Sequence, residues 1–111
     1  MTHTMNLQDE PFQMIKDITK TIELRLYDEK RQKIRPGDII EFNNDHTDEI
    51  IKAKVVALHI FEDFKELYKH FDKISIGYRP DEEAQAEDME EYYPQEKIKK
   101  YGVVGIELKV I

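Results

Sequence analysis

Residues 20–38, KTIELRLYDEKRQKIRPGD, decide how the rest of the chain is read. The segment opens as a strand. Ile22, Leu24 and Leu26 alternate with Thr21, Glu23 and Arg25, and a period of two puts the two sets on opposite faces. It then becomes a dense run of charge and closes on Pro36-Gly37-Asp38, a turn signal. The apolar stretch IIEF at 39–42 follows directly. A strand, a charged turn and a second strand predict neighbouring parts of one curved sheet. The charges themselves allow two readings. They form a ladder of salt bridges on a wet strand face, or they floor a site for an anionic ligand.

The whole chain has 111 residues, 40% hydrophobic and 37% charged, with a net charge of −7. That length and apolar content suit a single domain, residues 1–111, with a modest core and a heavily charged exterior. There is no cysteine, so disulfides, a thiolate nucleophile and a cysteine-based zinc site are excluded. No apolar run is long enough to span a membrane. The opening MTHTMNLQDEPF lacks the basic and apolar regions of a secretory leader. These features point to the cytoplasm. The acidic balance argues against a general nucleic-acid coat and against a reader of DNA sequence, because phosphate binding needs a positive footprint. The charge is unevenly placed, however. Residues 20–35 carry Lys20, Arg25, Lys30, Arg31, Lys33 and Arg35, whereas residues 81–96 hold acidic residues and no Lys or Arg. A local basic face binds anions even in an acidic protein.

Outward from the opening segment, further elements follow the same logic. Met5 and Leu7 alternate in a short strand. Phe12, Ile15 and Ile18 have helical spacing over 9–18, with Asp9 as N-cap and Pro11 in the first turn. NDHTD at 44–48 reads as a hairpin turn before a long strand, 49–60. Phe64, Leu67, Tyr68 and Phe71 share a helical face over 62–72. DEEAQAEDMEEYY at 81–93 suits a second, acidic helix, QEKIKKYG a short helix, and 103–110 a closing strand. The predicted class is α+β: a small β-barrel or strongly curved mixed sheet with flanking helices. Ile22, Leu24, Leu26, Ile40, Phe42, Val55, Ile106 and Leu108 are expected mostly to point inward, because alternation puts one face of each strand in the core.

IKDITKTIELRL followed by IRPGDIIEF resembles the ASCH domain of the PUA-like superfamily. Its signature, G-x-K-x-x-E-x-R, is matched by Lys20, Glu23 and Arg25, with Ile18 at the glycine position. The closing YYPQEKIKKYGVVGIEL is also similar to small bacterial members. The resemblance implies a PUA-like barrel with helices at its side and a cleft carrying the signature residues. It implies binding of RNA or of a modified nucleoside or nucleotide, with no cofactor. Some members are amidohydrolases that remove the acetyl group of N4-acetylcytidine with a Lys, a Thr and a Glu. Lys20 matches that Lys, Glu23 stands at the Thr position, and residues 81–91 offer several carboxylates for the Glu.

On either reading Lys20 and Glu23 are the catalytic candidates if the protein is an enzyme. Lys20, Glu23, Arg25, Tyr27, Arg31 and Lys33 are the ligand-binding candidates. Lys20 and Arg25 are expected at the base of the cleft, with Lys20 and Glu23 outside the apolar core and Glu23 and Arg25 aimed to one side by strand geometry. Lys30, Arg31, Lys33 and Arg35 are either a phosphate-contacting rim or a solvated loop. Tyr27 is either a structural aromatic or a platform for a base. The cleft is expected to be locally positive. His3, His46, His59 and His70 show no metal-ligand spacing, so no metal site is expected. The acidic run is a solvated face, a lid, or a surface for a protein partner. The sequence assigns no oligomeric state.

Overall fold

The alternation at 22–26 is realised as one edge of a five-stranded mixed sheet. The computed structural model describes residues 1–111. In chain order the elements are β1 (Thr2–Leu7), α1 (Asp9–Lys16), β2 (Ile22–Leu26), β3 (Ile39–Asn44), β4 (Ile50–Phe61), α2 (Phe64–His70), α3 (Gln95–Tyr101) and β5 (Val103–Val110). Short 3-10 helices cover Arg31–Lys33 and Ala86–Glu91. The strand order is β1-β3-β4-β5-β2, so β1 and β2 are the two free edges. β1 runs parallel to β3, and the remaining pairs are antiparallel. The sheet curls into a half-barrel of PUA-like type.

The inner face of this sheet is buried, and the outer face is covered behind β2 and β5. One core joins Met5, Leu7, Phe12, Ile15, Ile40, Phe42, Val55, Ile106 and Leu108 inside the curl. Helix α1 plugs it with Phe12 and Ile15, both fully buried, each contributing roughly 2 kcal/mol. A second core lies on the outer face. There Ile22, Leu24 and Leu26 meet Phe64 and Leu67 of α2, Ile98 of α3, and Val103. Ile22, Leu24 and Leu26 are buried as expected, but not with Ile106 and Leu108. The eight positions divide between two cores, because α2 and α3 cover the back of β2 and β5. This frees the inner face of β2 for Glu23 and Arg25, which pair across the ladder with Ile106 and Val104.

Local chemistry explains most boundaries. Asp63 caps α2 by accepting the Glu66 N–H at 2.9 Å. Gly102 ends α3 at φ 71°, a left-handed turn that glycine takes without strain. In α1 the N-cap position falls to Gln8, with no side-chain cap bond. Asp9 is instead the first helical residue, where a carboxylate suits the positive end of the helix. A bulge between Val55 and Ala57 interrupts the alternation of β4. The predicted acidic helix over 81–93 shrinks to the 3-10 helix at Ala86–Glu91. Like charges at i, i+4, such as Glu83 with Glu87 and Glu87 with Glu91, oppose an α-helix there.

Candidate functional site

The inner face of β2 and the turn before it hold a cluster of buried charge. Glu23 is 3% exposed and Lys20 9%. Lys20 Nζ lies 2.8 Å from Glu23 Oε1, and Arg25 Nε donates to Glu23 Oε2 at 2.8 Å. Arg25 Nη2 donates to the Asn6 carbonyl at 3.0 Å, reaching from one free edge of the half-barrel to the other. Burial pushes the Glu23 carboxyl up, but the charges and hydrogen bonds of Lys20 and Arg25 outweigh it. The net result is a carboxyl held below its usual range.

This cluster floors a cavity of about 520 Å³. The β1–α1 junction forms one side and the 76–93 segment the other. Tyr68, Tyr78, Tyr92 and Tyr93 line it. Tyr78 O–H donates to Asp88 Oδ2 at 2.7 Å, and the Tyr68 and Tyr78 hydroxyls lie 2.8 Å apart. A Tyr78 proton committed to Asp88 leaves Tyr68 as donor to Tyr78. Burial raises the Tyr78 phenol, and its bonds to Tyr68 and Asp88 raise it further. Burial likewise raises Tyr68 and Tyr93. Tyr68, Tyr78 and Tyr93 therefore stay neutral phenols at physiological pH.

Two backbone features aim Lys20. Gly77 has φ 109°, and a Cβ there would sit 3.2 Å from Lys20 Cδ, so the lysine stem runs over the bare backbone of this residue. Before it, α1 ends in a Schellman turn: the Ile18 N–H bonds to Ile15 O and the Thr19 N–H to Met14 O. Ile18 holds the left-handed position at φ 66° and is 67% exposed. A β-branched residue is strained there. Ile18→Gly is expected to stabilise the fold by about 1 kcal/mol, because the relief exceeds the entropy glycine adds to the unfolded chain. A thermal melt showing no gain, or a loss, contradicts this.

The ASCH domain family model matches residues 5–111. The chain belongs to that family. The ASCH fold is shared with two solved structures. The crystal structure of hypothetical protein PH0355 is 37% identical over 100% of both chains, with a TM-score of 0.87. The solution NMR structure of PF0455 from Pyrococcus furiosus is 36% identical over 100% of this chain and 98% of that one, with a TM-score of 0.76. No curated protein matches the chain. The left-handed turn at Ile18 is a conformation that suits glycine, the residue of the ASCH signature at this position.

Of the ligand-binding residues expected from the sequence, Lys20, Glu23 and Arg25 converge on the cavity and Tyr27, Arg31 and Lys33 do not line it. Tyr27 packs against the inner core. Arg31 turns back to Asp28 at 3.2 Å, and Lys33 is exposed on its 3-10 helix. Lys20 and Glu23 lie buried at the floor. The cleft is not locally positive, since carboxylates outnumber the two cations along its lining. Sequence reasoning missed Gly77, Tyr68 and Tyr78 as site residues. The one available signal was glycine beside tyrosine in SIGYRP. No helix is long and apolar enough to cross a membrane.

Proposed function

We propose that the cleft binds a single nucleobase, with Lys20, Glu23 and Arg25 reading its polar edge and the tyrosines packing on its faces. The observation that carries this is the charged trio, Lys20 and Glu23 buried and Arg25 half-buried, at the base of a tyrosine-lined cavity of about 520 Å³. The volume is within the range of small-molecule sites, roughly 300–1,000 Å³. Lys20 has three N–H donors and Arg25 five. The bonds to Glu23 and Asn6 use one of Lys20 and two of Arg25, so both retain donors for a carbonyl or ring nitrogen. Aromatic faces supply stacking, worth about 1–3 kcal/mol per base. A buried ion cluster adds little net stability over apolar packing of the same volume, which leaves ligand recognition as its use.

Hydrolysis of an acylated nucleoside such as N4-acetylcytidine is the second reading, favoured by the burial of Lys20 beside Glu23. Binding without turnover ranks ahead of it. Glu23 occupies the Thr position of the amidohydrolase pattern, and two cations hold its carboxyl below the usual range, which makes it a weak general base. Incubation with N4-acetylcytidine followed by chromatography tests the choice. Intact N4-acetylcytidine is expected. Release of cytidine that is abolished by Lys20→Ala would replace the binding reading with the hydrolase.

A further inference from the structure

Charge around the cleft narrows the ligand. Resting on the nucleobase reading above, we infer that the cleft takes an uncharged, phosphate-free nucleoside and turns away its phosphorylated form. Lys20 and Arg25 face the cavity against six carboxylates: Glu10, Glu23, Asp45, Glu82, Asp88 and Glu91. Glu23 sits at the floor between both cations and leaves them one surplus positive charge. That surplus suits a neutral acceptor such as a ring carbonyl.

The other five carboxylates are exposed at the mouth. Glu10 is matched by Arg79 at 3.1 Å. Asp45 and Glu91 have no cationic partner. The basic residues Lys30, Arg31, Lys33 and Arg35 do not line the cavity. A base directed to the floor turns its sugar toward the mouth. A 5′-phosphate would then enter a ring of like charge, which is costly in a partly desolvated cleft. A polynucleotide carries that charge on every unit and is turned away for the same reason.

This arrangement inverts the usual sign of salt dependence. Phosphate binding to a basic surface weakens as salt rises. Phosphate entering an acidic mouth is helped by salt, because screening relieves the repulsion. Calorimetric titration with cytidine and with cytidine 5′-monophosphate tests it. Cytidine is expected to bind at least about tenfold more tightly, a gap of roughly 1.4 kcal/mol. The gap should narrow between about 0.1 M and about 1 M salt, as the screening length falls from about 10 Å to about 3 Å. It should also narrow in the double variant Asp45→Asn, Glu91→Gln, through tighter binding of the monophosphate. A monophosphate that binds as tightly as cytidine, or that salt weakens, overturns the inference and leaves the nucleobase reading standing. If neither compound binds, the nucleobase reading falls and the inference falls with it.

Discussion

Glu23→Gln is expected to cost about 3 kcal/mol of stability, because it leaves the buried charges of Lys20 and Arg25 without their counter-ion. In a domain of this size that is a fall in Tm on the order of 15 °C. The shape of the side chain is kept, so the loss reads out charge and not packing. The pH dependence identifies the source. Glu23 has a folded-state pKa below its ordinary value of 4.5. Between those two values the unfolded chain binds the extra proton, so stability rises with pH. The contribution is complete above the ordinary value and is lost as pH falls through the lowered one. Wild-type protein and variant should therefore differ most at neutral pH and converge in acid. A denaturant titration at neutral pH showing a change below about 1 kcal/mol would mean that the trio behaves as an exposed ladder.

Gly77→Ala is the second large effect, and it falls on both stability and binding. The backbone at φ 109° is strained for any L side chain, at a cost of about 1–3 kcal/mol. The new methyl would also press on the Lys20 stem, 3.2 Å from Cδ and 3.6 Å from Nζ. Displacing that ammonium from Glu23 disturbs the floor of the cleft, and cytidine affinity is expected to fall about tenfold or more, roughly 1.4 kcal/mol. Gly37→Ala is the control. Gly37 has φ 94°, and a methyl group added there would meet nothing within 4 Å. It should lose comparable stability and keep its affinity. Equal binding by the two variants would remove Gly77 from the site.

Much of the sheet was legible because alternation is local. Ile22, Leu24 and Leu26 announce β2, and Ile40 with Phe42 announce β3, without reference to any partner strand. The depth of burial was not legible. A strand with Glu23 and Arg25 on one face reads as half-solvated, and nothing within residues 20–26 shows that α1 and the 76–93 segment close over that face. The second core has the same origin: Leu67 and Ile98 reach β2 from far along the chain. Pattern alone kept the acidic segment helical, since composition favours helix there, whereas repulsion between successive carboxylates is a sum over the segment. The charge of the cleft was misread for a related reason. Arg31 and Lys33 are near Arg25 in sequence, but Asp45, Asp88 and Glu91 are the ones brought to the mouth by the fold. The proximity of Lys20, Glu23 and Arg25 was legible because one strand face carries Glu23 and Arg25 and the turn just before it carries Lys20.

The most direct test is a titration of nitrogen-15-labelled protein with cytidine, followed amide by amide. Saturable shifts are expected at Lys20, Glu23, Arg25, Gly77 and Tyr93, with little change at Lys52, Lys54 and Lys109 on the outer sheet face. No saturable shift around Lys20, or shifts confined to the outer lysines, would contradict a nucleobase cleft floored by the charged trio.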